Sequence, residues 1–233
     1  MLAQVDSSIG GKNGINSKFG KNLIGTFYHP EKVIIDISFL KTLPIRQIKS
    51  GYAEVVKHAL INDKYFYYWL KKNYKGIFNL NTKKLIYAIK KSIKIKSKFI
   101  SKDEKELLKS SLSRSMLNYG HTFGHALESM NKYNRTLTHG EAISIGMIIS
   151  AKISYKKNYI TKRKLEDIIE HFKNAKLPVT SKLIKKDLFY KKIMNDKKNF
   201  NEKINIVLLK DLGKSYFARN HSIDDIKKLV LGI

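Results

Sequence analysis

Two histidines four residues apart, His121 and His125, lie in the run NYGHTFGH at residues 118–125, and a third, His139, opens HGE at residues 139–141. A helix brings side chains at i and i+4 to one face, so the paired imidazoles would point the same way. Gly120 and Gly124 strip side chains from the turns beside them, leaving space for something to approach the backbone. His139 precedes the apolar run AISIGMIISA, which reads as a buried helix. Imidazoles converging from neighbouring helices, with a carboxylate from elsewhere, are the usual donors to a catalytic divalent metal. A spaced histidine pair on a helix is more often structural than ligating, and the spacing alone leaves both readings open.

A chain of 233 residues holds one large domain or two small ones. Hydrophobic residues at 42% and three prolines describe a folded, helix-rich globule. No stretch reaches the roughly 18 apolar residues of a membrane span, and MLAQVDSS lacks the basic-then-apolar layout of a secretory signal. A cytoplasmic protein is the simplest expectation. With no cysteine, disulfides and thiolate metal sites are excluded, and any metal must use His, Asp or Glu. The formal charge of +27 invites a nucleic-acid partner. Lysine greatly outnumbers arginine, however, and is spread along the whole chain among isoleucine and asparagine. A groove built for phosphate clusters its cations and favours arginine. The charge is therefore read as biased composition and solvated helix faces, with a polyanion partner as the alternative.

The elements that must position the histidines follow from pattern. Residues 1–45 hold five of the thirteen glycines and a strand-like run, KVIIDI at residues 32–37, so they read as loop and strand. Within them, residues 6–22 combine glycine amides with Lys12 and Lys21, donors that suit an anion, although the Walker spacing is missing. A plain glycine-rich surface loop fits this stretch equally well. Past Pro44 a helix is expected, with Ile48, Tyr52, Val55, Val56, Ala59 and Leu60 at helical spacing. Glu54 and Lys57 share a side of it, either as an inward pair or as a surface ion pair. Further helices are expected over residues 64–74, 81–103, 139–159, 162–175 and 181–194. A polar loop is expected over residues 103–114, and a β-hairpin over 204–219. Ser222 and Asp225 form a capping box that opens a last helix.

Taken together, the motifs name a family. VDSSIGGK (residues 5–12), GKNLIGTFYHP (20–30), LKTLP (40–44), GYAEVVKH (51–58), NYGHTFGHALE (118–128), HGEAISIGM (139–147) and DKK (196–198) occur in the order seen in 3-dehydroquinate synthases. The resemblance covers essentially the whole chain. It implies an enzyme that converts 3-deoxy-D-arabino-heptulosonate 7-phosphate to 3-dehydroquinate and phosphate, using catalytic NAD and a divalent zinc or cobalt ion. It also implies Glu54, His121 and His139 as metal ligands, and Asp6, Lys12, Lys57, Lys96, Arg114, Asn118, His125 and Lys197 as the substrate-contacting set. His125 and Glu106 resemble the proton-transfer residues. Lys12, Lys21, Asn22, Phe39, Leu40, Lys41 and Thr42 resemble part of an NAD site.

Three departures stand beside the resemblance. Asn13 replaces the threonine usual after GGK, and the spacing from Glu106 to Arg114 is longer than the family's D-E-x-E-x-G-L-R. The family also carries a nucleotide-binding α/β domain ahead of VDSS. The expected fold is therefore mainly α: a helical metal- and substrate-binding domain over residues 46–233, with residues 1–45 a β/loop remnant of the NAD-binding domain. A homodimer is implied for the intact family, and another polypeptide would have to supply the missing domain. A related sugar-phosphate cyclase, or a non-catalytic basic remnant that binds polyanions, are the competing functions.

Overall fold

The computed structural model describes every residue except 18–19, 109, 132–135, 195–202 and 233, with backbone alone over residues 16–17 and 20–23. Pro44, extended at ψ 139°, leads into Ile45–Asn62 (α1). This helix is buried on all sides from Tyr52 to Ile61, which makes it the central post of the molecule. Asp63 ends α1 and caps Lys64–Phe78 (α2), its carboxylate accepting from Phe66 N–H at 2.9 Å. Asn81 caps Thr82–Lys102 (α3) in the same way. The histidine helix His121–Met130 (α4) and the long His139–Lys156 (α5) follow, then Lys162–Asn174 (α6), capped by Thr161.

α5 joins two hydrophobic cores. Its residues Ile143, Met147, Ile148 and Ala151 face a cluster built on α1, α2, α3 and α6. Ala142, Ile145, Ile149 and Ile153 face a second cluster. The latter is completed by Asp187–Met194 (α7), Ile223–Leu231 (α8) and an antiparallel hairpin of two later strands, Ile204–Asp211 and Lys214–His221. With both faces buried, α5 lacks the one-sided periodicity of a surface helix. The hairpin is pinned to the central post, because Gly213 N–H in its turn donates to the Leu60 carbonyl at 2.8 Å. A small antiparallel pair, Ile15–Ser17 (β1) and Gly20–Ile24 (β2), lies near the N-terminus; the later strands are β3 and β4.

The mainly helical class, the hairpin and the Ser222–Asp225 capping box agree with expectation. Three local expectations do not. Residues 32–37 form no strand: they make no ladder with a neighbouring strand among the described residues, Asp36 O taking the Gln4 side-chain amide at 2.8 Å, and they lead into a 3-10 turn at Ile37–Leu40, where the Asp36 side chain accepts from Ser38 N–H. An apolar run without a partner edge has nowhere to place its backbone hydrogen bonds. Residues 1–45 are not free of helix either. Ala3–Ser7 winds as a π-helical turn because Val5 is buried and Met1 packs on Gly51 of α1. The helix expected over residues 181–194 is broken at Lys186, which is extended between a 3-10 turn at Lys182–Lys185 and α7. Among the described residues, no helix is long and apolar enough to cross a membrane.

Candidate metal centre

Three helices deliver one donor atom each to a common point. Glu54 comes from α1, His121 from the first residue of α4 and His139 from the first residue of α5. Glu54 Oε1 lies 3.7 Å from His121 Nε2 and 3.5 Å from His139 Nε2. Two donors held by one tetrahedral zinc-type ion, at about 2.1 Å each, stand about 3.4 Å apart. Glu54 is fully buried: Lys57 meets its Oε2, whereas Oε1 faces the two imidazoles and is left for them, or a cation between them, to complete.

The imidazoles are set for the same purpose. His121 Nδ1 is 3.2 Å from the Tyr119 carbonyl, which can only accept, so Nδ1 carries the hydrogen and Nε2 keeps its lone pair. His139 Nδ1 faces Glu128 Oε1 at 3.2 Å and is fixed in the same tautomer by a carboxylate. Burial opposes protonation of His139, yet the Glu128 and Glu54 carboxylates on either side hold it up to about 9, so a metal ion at Nε2 would displace the proton that otherwise sits there. Burial, with Lys57 and His125 nearby, pushes His121 well below the ordinary value. The close meeting of α4 and α5 explains the glycines. Gly120 stands just ahead of α4 at φ +80°, and a side chain there would strike Met147 of α5. What approaches the backbone at this point is a helix.

Beside the donor triad lie two acid–lysine pairs, one fully and one partly buried. Lys57 Nζ contacts Glu54 Oε2, and Lys96 Nζ lies 2.5 Å from Asp6 Oδ1. Burial raises the Glu54 carboxyl, but Lys57 and His139 more than reverse this and hold it below the usual carboxylate range. Asp6 is pushed down to about 2, burial being outweighed by Lys57 and Lys96. A ring nitrogen of His58 joins Asp6 and Glu54 within 4.8 Å. Two ammonium groups already balance those carboxylates, so this second cluster is poor in charge for a cation.

The other expected residues divide between places. His125, one turn along α4, has its ring 5.2 Å from that of His121 and 6.4 Å from that of His139, at the edge of the cluster. Lys12, Glu106 and Asn118 meet one another: the Glu106 carboxylate takes Lys12 at 2.8 Å and the Asn118 amide at 2.7 Å, with Ser115 at 3.3 Å. Arg114 is buried and donates to the Gly10 and Glu104 carbonyls, both at 2.7 Å, which ties residues 103–114 to the glycine-rich stretch. Phe39, Lys41 and Thr42 are exposed, whereas the Leu40 side chain belongs to the core. Lys21 and Asn22 lie in β2 with side chains outside the described residues, as Lys197 is entirely. Sequence reasoning passed over Glu128, although it shares α4 with His121 at i+7. It also passed over Thr138 and Glu141, whose T-x-x-E spacing forms a capping box at the start of α5.

The 3-dehydroquinate synthase C-terminal family model matches residues 51–199, and the N-terminal model of the same family matches residues 1–50. A 3-dehydroquinate synthase of Bartonella bacilliformis is 42% identical over 232 residues, covering 97% of this chain and 60% of the relative. The chain thus spans about 60% of the length of the curated relatives it matches. Among solved structures, 2-epi-5-epi-valiolone synthase from Streptomyces hygroscopicus, with NAD+ and Zn2+ bound, shares the fold. It is 22% identical with a TM-score of 0.87, over 99% of this chain and 63% of that one. 2-deoxy-scyllo-inosose synthase complexed with carbaglucose-6-phosphate, NAD+ and Co2+ superposes with a TM-score of 0.71 at 24% identity, over 100% of this chain and 65% of that one. By its family-model matches, which together run over residues 1–199 and hold all three donors in the C-terminal one, the chain belongs to the 3-dehydroquinate synthase family.

Proposed function

We propose that this chain is the metal- and substrate-binding part of a 3-dehydroquinate synthase, acting on 3-deoxy-D-arabino-heptulosonate 7-phosphate to give 3-dehydroquinate and phosphate. The observation that carries the reading is the convergence of Glu54 Oε1, His121 Nε2 and His139 Nε2, with the Nδ1 atom of each imidazole turned to an oxygen acceptor on its other side. One carboxylate and two imidazoles suit zinc or cobalt and leave positions for substrate oxygens.

A divalent cation held there supplies a Lewis acid that polarises a substrate carbonyl or hydroxyl oxygen. The chain's own residues do the rest. Lys57 and Lys96, held beside Glu54 and Asp6, supply ammonium groups that an anionic substrate can share with those carboxylates. Lys12 and Asn118 donate to an anionic group in the place where they now hold the Glu106 carboxylate. His125, at the rim of the cluster, is placed to take or give a proton at a ring nitrogen.

For NAD the chain offers Lys12 and the exposed edge of Phe39, Lys41 and Thr42. No strand–helix–strand crossover exists among the described residues, since both sheets are two-stranded and antiparallel. The pyrophosphate cradle of such a unit is not among them. Ile15, Ile24, Phe27, Tyr28, Ile34 and Phe39, all within residues 1–45, are exposed, and apolar side chains left in water in this number fit a nucleotide-binding module docking there. The test is phosphate release from the heptulosonate phosphate by the purified chain with NAD and Zn2+ or Co2+, with and without such a module from a relative. Release is expected only with the module. No release in either mixture, when the chain carries metal, would overturn the reading, and release from a different sugar phosphate would reassign the substrate.

A further inference from the structure

We propose that Arg46 and Ser50 are positioning residues that fix the distance between the ligating carboxylate of α1 and the imidazole that opens α5. The inference rests on the metal reading above. Arg46, Ser50 and Glu54 are spaced by four, so they form one stripe along α1. Each meets the beginning of α5. Arg46 grips Glu141 through two parallel hydrogen bonds, Nε to Oε1 and Nη2 to Oε2, both at 2.7 Å, and its Nη2 also donates to the Thr136 carbonyl at 2.8 Å. Ser50 Oγ accepts from Gly140 N–H at 2.9 Å. Glu54 Oε1 faces His139 Nε2 at 3.5 Å. Three successive turns of one helix thus engage residues 141, 140 and 139 of the other.

The first two contacts involve no metal ligand, yet they settle where the third falls. The amides in a helix's first turn have no partner within the helix. Here Ser50 takes the one at Gly140, and Thr138 Oγ1 takes the one at Glu141. A side chain at Gly140 would collide with the Ser50 carbonyl, so the helices meet at backbone distance. If Arg46 let go, the Thr138–Glu141 capping box would still start α5 at the same residue. What would be lost is the lock between α5 and α1, and with it the spacing of His139 from Glu54. An exposed ion pair with no such role is worth about 0–1 kcal/mol and leaves ligand geometry alone. Arg46 is half exposed, so stability by itself cannot distinguish the two roles.

The experiment titrates Co2+ into the full 233-residue chain and records its visible absorption, well below the melting temperature, for wild type, Arg46→Met, Arg46→Lys and Ser50→Ala. Positioning predicts a Co2+ affinity about 10-fold or more weaker in Arg46→Met, in the range seen when supports of metal ligands are removed, with a changed absorption band. Ser50→Ala should shift the same way. Arg46→Lys should recover only part of the loss, because an ammonium cannot make the two-pronged grip. Lys162→Ala, which removes a surface pair with Glu166 on α6, should change nothing. Wild-type affinity and an unchanged band in both Arg46→Met and Ser50→Ala would overturn the proposal, however far their melting temperatures fall. If Arg46→Met does not fold, Ser50→Ala and Arg46→Lys carry the same comparison. Failure of the wild-type chain to bind Co2+ would sink the metal reading, and this one with it.

Discussion

Glu128 Oε1 lies 3.2 Å from His139 Nδ1, at the far end of the imidazole from Glu54, whose Oε1 is 3.5 Å from Nε2. A carboxylate behind a ligating histidine fixes its tautomer and raises its basicity. Replacing Glu128 by alanine should therefore weaken Zn2+ or Co2+ binding about 10- to 100-fold, read by titration calorimetry. Glutamine at this position can still accept from Nδ1–H, so Glu128→Gln should retain most of the affinity. Equal binding by Glu128→Ala and wild type would mean that the ring is held by something else.

The buried pair of Glu54 and Lys57 makes a separate prediction about stability. Glu54 is wholly enclosed and Lys57 is 1% exposed, so removing one partner strands the other's charge, apart from what Asp6 offers Lys57. Glu54→Gln and Lys57→Met should each cost on the order of 3 kcal/mol in urea unfolding, and the double variant should recover much of it. Metal binding should be absent in both Glu54 variants, including the stabilised double one. Additive losses in the double variant would show that the two side chains do not act as a pair.

Much of this arrangement was legible in the residues, and the exceptions share a cause. The span of α3 was readable because its pattern runs between Asn81 and Asp103, which the structure shows at its two caps, and the hairpin because its apolar runs flank a turn with Gly213. The proposed ligand triad came through the resemblance, since the apolar neighbours of Glu54 point it inward but no local signal aims it at two other helices. Residues 32–37 misled because β-branched residues suit a strand only when a neighbouring edge exists, which is a tertiary fact. The Ala3–Ser7 turn was missed because its stability comes from packing Met1 and Val5 against α1. Arg46 carries no mark in the sequence. Its partner Glu141 is 95 residues away, and only the crossing of α1 and α5 brings them together.

His171 gives a pH dependence whose direction follows from burial. Its Nε2 is 3.0 Å from the Tyr52 hydroxyl in the core. Burial, reinforced by Lys71 and opposed by Asp167, lowers its pKa from 6.5 to about 4. The unfolded chain therefore takes up the proton first, and stability present above pH 6.5 is lost as pH falls toward 4. The loss should be about 3 kcal/mol for this group. His58, held down to about 3 by burial and by Lys57, adds to the same trend. Urea midpoints measured across that range should fall for wild type and fall less steeply for His171→Gln. Identical slopes would assign the whole dependence to other groups.

Two glycines in helices should respond to alanine with opposite signs. At Gly76 in α2, an added methyl group meets only the flexible end of the Lys84 side chain, which can swing away. Relief of glycine's backbone entropy should then dominate, and Gly76→Ala should stabilise by about 0.5–1 kcal/mol. At Gly140 the same methyl meets the Ser50 carbonyl of α1, and neither helix backbone can yield without the other. Gly140→Ala must part α1 from α5, which stretches the Ser50 hydrogen bond and moves His139 off Glu54. The expected result is a lower urea midpoint together with weaker Co2+ binding, whereas Gly76→Ala should leave Co2+ binding untouched. A Gly140→Ala protein that loses stability but keeps full metal affinity would show that the α1–α5 contact and the ligand geometry are independent of each other.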